Sequence, residues 1–380
     1  MSSERAILHM DLDSFFVSVE CLRDSRLKGL PLIIGGNSDR SVVASCSYQA
    51  RKFGVHSAMP VKLARRLCPD AIIIGGDMEL YSRYSQAVTE VVKDSAPIYE
   101  KASIDEFYLD LSGMDRFFGC YQWSMELKQK ILKETGLPIS FGLSTNKTVS
   151  KVGTGEAKPN GQIQISKGTE KHFLAPLPVR KIPMIGEKTY QLLSSMGVQQ
   201  ISTLQQMPAS MMERAMGKNG LLIWKKANGI DESPVEPYQE RKSISAEHTF
   251  ESDTIDVRLI RNMLTSMSEK LSFKLRDKQM LTCCVAVKIR YADFDTQTRQ
   301  LKIAHTASDH EIIKIAHELF DKLYNRRLRI RLIGLRLSDL VHGAYQINLF
   351  EDTPAMINLY QAMDSLRRRF GVDAVRRAVG

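Results

Sequence analysis

The residues most able to do chemistry are two groups of carboxylates far apart in the chain. Asp11-Leu12-Asp13 closes an apolar run beginning at Ala6, and Ser103-Ile104-Asp105-Glu106 leads into Phe107-Tyr108-Leu109-Asp110-Leu111. From Glu106 onward the residues alternate. Phe107, Leu109 and Leu111 fall on one face and Glu106, Tyr108 and Asp110 on the other, the pattern of a half-buried strand. Adjacent Asp105 and Glu106 would diverge in a regular strand, so they converge only if Asp105 sits in the turn before it. Three carboxylates from two strands, Asp11, Asp105 and Glu106, could hold a pair of Mg²⁺ ions, because hard divalent cations take oxygen ligands and accept phosphate oxygens as well. Such a pair would clamp both oxygens of an in-line phosphoryl displacement. The plainer alternative makes Asp11 and Asp13 helix caps and Asp105-Glu106 a solvated hairpin turn. Asp13 or Ser14 can cap the helix that follows, and Asp13 in particular is expected to be the cap and not a ligand.

Candidate phosphate partners lie elsewhere. Tyr48 and Arg51, at i and i+3, share one face of an expected helix, and a phenol beside a planar guanidinium suits a triphosphate tail. Lys158 precedes the Pro159-Asn160-Gly161 turn, which holds it at a fixed bend. As isolated features these are ordinary surface residues. The usual phosphate-binding loops and dinucleotide fingerprints are absent.

These residues need elements to position them. The 380 residues are 43% hydrophobic and 25% charged, enough apolar content for folded domains. No apolar run is long enough to span a bilayer, and the chain reads as cytoplasmic. Six cysteines lack metal-type spacing and are expected to be reduced. A net charge of +10 favours a polyanionic partner. Periodicity predicts a strand at 6–12 running into a helix at 14–23, then a small α/β region to about 76. It predicts a helix at 81–94, a hairpin at 98–111, a helix at 121–135 and a strand at 139–144. Residues 171–238 read as helical, 239–245 as a linker, and 246–341 as a second α/β unit with strands at 282–291 and 328–340.

Taken in order, Ile7 to Phe16, Ser47 to Arg51, Ser103 to Glu106, Ala157 to Gly161 and Arg241 to Ser245 with Thr249-Phe250 resemble a Y-family translesion DNA polymerase of the DinB type. The resemblance covers most of the chain. It implies an α/β (α+β) right-hand polymerase: a palm (1–14 and 77–170), small fingers (15–76), a helical thumb (171–238) and a carboxy-terminal little finger (246–341). It implies that Asp11, Asp105 and Glu106, with the Leu12 carbonyl, bind two Mg²⁺ ions. Phe15, Phe16, Tyr48, Arg51 and Lys158 then surround the dNTP, with Phe16 as the steric gate against a ribose 2′-OH. The activity implied is template-directed dNTP addition with low fidelity and no proofreading. The partner is primer-template DNA, gripped by Arg241, Lys242 and the basic stretch Arg327, Arg329 and Arg331, whose last two residues share a face by period two. The alternatives are a catalytically silent scaffold that binds DNA or a clamp, and a nucleotidyl cyclase on a similar palm.

Some positions depart from the family's pattern. Ile182-Pro183-Met184-Ile185-Gly186 resembles a helix-hairpin-helix turn, with Met184 where glycine is usual; a positive φ there would carry strain. Gly153 and Gly155 are expected to weaken the helix before Lys158. Gln346-Ile347-Asn348-Leu349-Phe350 resembles the peptide that bacterial polymerases insert into the sliding clamp, with Gln346, Leu349 and Phe350 as anchors. Residues 354–379 read as an amphipathic helix with Met356, Leu359, Met363, Leu366 and Phe370 as its apolar face, either packed back on the protein or free. The chain is expected to act as a monomer with no membrane partner.

Overall fold

The computed structural model describes residues 5–114, 119–237, 240–343, 354–375 and 377. The chain divides into two units, Met1–Gln239 and Glu240–Gly380. The first begins with β1 (Ile7–Leu12), α1 (Phe15–Arg23), β2 (Leu32–Gly35), β3 (Val43–Cys46), α2 (Tyr48–Arg51), α3 (Val61–Leu67) and β4 (Ile72–Ile74). There follow α4 (Met78–Ser95), β5 (Tyr99–Lys101), β6 (Glu106–Asp110), α5 (Cys120–Thr135), β7 (Ile139–Ser144), α6 (Lys147–Ala157) and β8 (Gln162–Gln164). Four helices complete it: α7 (Glu170–Leu174), α8 (Glu187–Ser195), α9 (Ile201–Gln206) and α10 (Ala209–Ala227), the last kinked at Gly217.

The apolar run ending at Asp11 becomes the middle strand of a five-stranded sheet ordered β5-β6-β1-β7-β8. A central strand is covered on both faces, which is why its apolar residues run on without strict alternation. On one face Leu8, Met10, Leu12, Phe107, Leu109 and Phe141 pack against Val88 and Val92 of α4 and Leu127 and Ile131 of α5. On the other lies α6, and here the expectation of a weakened helix gives way to packing. A Cβ on Gly142 would come within 2.3 Å of the Ser150 carbonyl oxygen, and one on Gly153 within 2.6 Å of Ile165 Cδ1. The missing side chains let helix and strand backbones touch, and α6 is capped by the Asn146 side chain accepting from Val149 N–H. Close tertiary packing offsets the glycine propensity cost.

A smaller sheet, β3-β2-β4, carries α2 and α3. Helices α7 to α10 gather around Leu174, Val179, Leu193, Leu204, Met212 and Ile223.

The second unit holds β9 (Ser243–Thr254), α11 (Val257–Asp277), β10 (Met280–Tyr291), β11 (Thr296–Thr306), α12 (Asp309–Leu323), β12 (Ile330–His342) and α13 (Pro354–Phe370). Its sheet runs β11-β10-β12-β9, with α11 and α12 over one face. Strand β9 begins inside the expected linker, because Ile244 is buried in the core. Both β9 and β11 lie at sheet edges and are largely polar, so they carry little of the alternation that reveals a strand.

Two basic residues are not where period two put them. Arg327 and Arg329 precede β12, and Arg331 is the extra residue of a bulge: Tyr291 pairs with Ile330 while adjacent Arg290 pairs with Leu332. A bulge shifts the side-chain alternation, so Arg329 and Arg331 do not share a strand face. Arg336 and Lys288 do stand together on the face away from the helices, on strands that pair Lys288 with Gly334. Arg241 and Lys242 are exposed just before β9.

Helix α13 inverts the expected packing. Among its described side chains Tyr360, Asp364 and Arg367 are buried, while Leu359, Leu366 and Phe370 are exposed and Met356 and Met363 half-buried. Arg276 explains why: its guanidinium donates to Asp364 at 2.6 and 2.7 Å and to Asp309 at 2.5 Å. The helix is docked by charge.

Gln346, Leu349 and Phe350 lie outside the described residues. All six cysteines are free thiols, and among the described residues no helix is long and apolar enough to cross a membrane.

Candidate active site

The end of β1 brings the acidic residues together. Asp11 lies directly opposite Glu106 in the antiparallel pair with β6, and opposed residues project to the same side. The β5–β6 hairpin loop carries Asp105, whose carbonyl accepts Leu12 N–H at 3.0 Å. Ser103 shapes that loop, its hydroxyl donating to Asp105 Oδ1 at 2.5 Å and accepting from Glu106 N–H at 3.0 Å. Asp105 thus leaves the strand alternation and lines a cavity of about 160 Å³ with Asp11, Phe16, Arg51 and Lys158. Glu106 and Tyr48 are absent from that lining.

The cavity's charges are balanced by lysines of α6 and the residue after it. Lys158 donates to Asp11 Oδ1 and, at 3.5 Å, approaches the Leu12 carbonyl. Lys151 meets both Glu106 oxygens at 2.7 and 2.8 Å, and Lys147 pairs with Glu100 at 2.7 Å. Lys151 was not legible as a site residue, although it stands one turn after Lys147 on the same face of α6. The Asp11 carboxyl is pushed up to about 7. Burial is the largest cause; Lys158 opposes it, and the charges of Asp105 and Glu106 add to it.

These donors fit a divalent cation. An ammonium sits between the Asp11 carboxylate and the Leu12 carbonyl, which marks a cation position lined by hard oxygens. Among the described residues no group of three or more His, Cys, Asp or Glu side chains is placed to hold a metal ion; Lys158 and Lys151 take up carboxylate oxygens of Asp11 and Glu106.

The two adjacent phenylalanines separate. Phe15 is buried in the sheet core, whereas Phe16 packs against its edge and stacks on Tyr81, centroids 4.3 Å apart. Arg51 lies over the Tyr48 ring at 4.7 Å, which realises the shared face. Ser47 starts that short helix by accepting from Ala50 N–H.

Asp13 is not a helix cap. Ser14 takes the cap position with φ 42° and makes no side-chain cap bond. The Asp13 carboxylate is instead buried and accepts from Tyr48 at 3.1 Å, Ser140 at 2.9 Å and Asn160 N–H at 2.8 Å. Local spacing favoured capping; the partners that outcompete it come from distant segments.

This geometry can be set beside known proteins. Residues 10–155 match the impB/mucB/samB family and residues 241–349 match that family's C-terminal domain. The chain is 38% identical to a DNA polymerase IV of Dehalococcoides mccartyi, over 98% of this chain and 97% of that protein. It is 33% identical to a DNA polymerase IV of Treponema denticola, over 100% and 97%. The chain belongs to the Y-family DNA polymerases, of the DinB type. Among solved structures, a Y-family DNA polymerase chimera of Dbh and Dpo4 superposes with a TM-score of 0.79 at 27% identity, covering 89% of this chain and all of that one. This Y-family member is a DNA-directed DNA polymerase of the translesion class, it binds DNA and dNTPs, and it depends on divalent metal. The silent scaffold is not favoured.

Proposed function

We propose that Asp11, Asp105 and Glu106, with the Leu12 carbonyl, hold two Mg²⁺ ions, and that dNTPs are added there to a primer 3′-OH. When bound, the paired cations would supply Lewis-acid stabilisation to the attacking and leaving oxygens. Arg51 and Lys158 contribute fixed positive charge for the triphosphate, Arg51 as a planar fork and Lys158 as a point charge. Phe16, held by Tyr81, forms the floor under the sugar and excludes a 2′-OH. The Tyr48 phenol stands beside this set, its hydroxyl donating to Asp13 at 3.1 Å. The carrying observation is Asp11 opposite Glu106 with an ammonium between Asp11 and the Leu12 carbonyl. The test is primer extension: Asp105→Asn and Glu106→Ala should abolish it while DNA affinity is largely kept. Extension at the wild-type rate would overturn the assignment.

Residues 1–14 with 77–170 form the palm on this reading, 15–76 the fingers, 171–238 the thumb and 246–341 the little finger. The fingers amount to a three-stranded sheet with the three helices α1, α2 and α3, a small unit that encloses a nascent pair loosely and favours low-fidelity bypass; no proofreading activity would accompany it. Arg241, Lys242, Arg327, Arg329 and Arg331 would grip duplex phosphates, with affinity falling steeply as salt rises. Gln346, Leu349 and Phe350 would engage a sliding clamp. Deleting residues 346–350 should remove clamp stimulation and spare distributive synthesis. The enzyme would work as a cytoplasmic monomer.

A further inference from the structure

Tyr48 and the Pro159-Asn160 turn border a second cavity, of about 400 Å³, whose lining shares only Ser14 with the smaller one and includes neither Asp11 nor Asp105. Its walls include Val17, Leu22, Leu132 and Pro138, and Asp13 itself lies at its edge. Close packing ordinarily fixes a side chain from all sides. Here the ring of Tyr48 and the turn after Lys158 face open space on one side, so packing alone does not set them. Directional bonds must.

One group supplies those bonds. Asp13 is 3% exposed, and its two oxygens accept from Tyr48 at 3.1 Å, Ser140 at 2.9 and 3.0 Å, and Asn160 N–H at 2.8 Å. Ser140 in turn accepts from Gly161 N–H at 3.2 Å, which extends the grip across the turn. A carboxylate accepts several bonds at once and makes each stronger than a neutral acceptor would. Asp13 therefore joins the end of β1, strand β7, the start of α2 and the turn that carries Lys158. None of its described contacts is to the cavity cation position.

We propose that Asp13 is a positioning residue for the incoming nucleotide. It acts through Tyr48 and Lys158, and sets where the triphosphate tail lies without touching a metal or the substrate. The proposal rests on the placement of the triphosphate at Tyr48, Arg51 and Lys158.

The experiment is steady-state dNTP titration on primer-template DNA with Asp13→Asn and Asp13→Ala enzymes. Misplacing a substrate contact by an ångström is costly, so Asp13→Ala should raise KM for dNTP by roughly tenfold or more, with kcat changed much less. Asp13→Asn keeps an acceptor for Asn160 N–H and Ser140 and should recover most of the loss. Affinity for DNA, read by fluorescence anisotropy, should be unchanged in both. An unchanged KM with only a lower melting temperature would make Asp13 purely structural and overturn the proposal. A lowered KM would overturn it too, since the Tyr48 bond would then be a restraint on binding. Should Asp13→Ala fail to fold, Asp13→Asn with Tyr48→Phe carries the test: the proposal requires raised KM in Tyr48→Phe and near-normal KM in Asp13→Asn. Arg51→Ala is the separate control. If it leaves KM unchanged, the triphosphate placement is wrong; if it raises KM and Asp13→Ala does not, only the Asp13 proposal fails.

Discussion

Phe16 lies face to face with Tyr81, their ring planes 13° apart. Tyr81 is fixed in turn, its hydroxyl donating to Glu20 at 2.7 Å within a buried environment. A gate excludes a 2′-OH only if it cannot move aside, and if Phe16 is the gate, as proposed, this stack would brace it from behind. Phe16→Ala should therefore admit ribonucleotides. Tyr81→Leu, which leaves the Phe16 ring in place but unbraced, should relax sugar discrimination to a smaller extent. The measurement is the ratio of ribo- to deoxynucleotide incorporation, and an unchanged ratio in both variants would remove Phe16 from the gate.

Gly142 should tolerate no side chain. A Cβ there would sit 2.3 Å from the Ser150 oxygen and 2.7 Å from the Thr154 nitrogen, both backbone atoms of α6. Gly142→Ala is expected to destabilise by about 1–3 kcal/mol or more. Since α6 carries Lys151 and leads into Lys158, primer extension should fall as well. Urea unfolding reads the first effect.

Met184 has φ 81° and an exposed side chain at its turn. A bulky residue in the left-handed region costs about 1–2 kcal/mol. Met184→Gly should raise stability by about that amount, seen as a higher urea midpoint. A midpoint that falls would mean that the Met184 side chain contributes contacts outweighing the strain.

Asp364 faces Arg276 in a nearly closed environment, with relative exposures of 5% and 9%. Removing Asp364 takes two charge-assisted bonds from Arg276 and leaves it paired, among the described residues, with Asp309 alone, so Asp364→Ala should destabilise the unit Glu240–Gly380 by about 1.5–3 kcal/mol. Amide exchange in α13 should rise more than elsewhere. Exposed Leu366→Ala is the comparison and should change stability far less.

Much of the site was legible because strand alternation and turn chemistry are local. The alternation from Phe107 to Leu111 located the second acidic strand, and it required Asp105 to leave that strand if the acids were to meet. Tyr48 and Arg51 were linked by helical spacing alone, and their stacking follows from it. The strands β9 and β11 escaped notice because edge strands that are mostly polar lack a buried face to imprint a pattern.

The residues along the chain determined the chemistry available here: three acids, a phenol with two cationic side chains and an aromatic pair, each readable from its near neighbours. Tertiary structure decided which neighbour each one keeps. Asp13 could have capped α1, but Tyr48, Ser140 and Asn160 arrive from distant segments and offer stronger bonds inside a buried site. Helix α13 shows the same competition, since Arg276, once buried, demands acidic partners more than Leu359 and Leu366 demand cover. Hydrophobic pattern is summed over a segment, whereas a buried charge must be answered at one point, and only the folded chain fixes where that point lies.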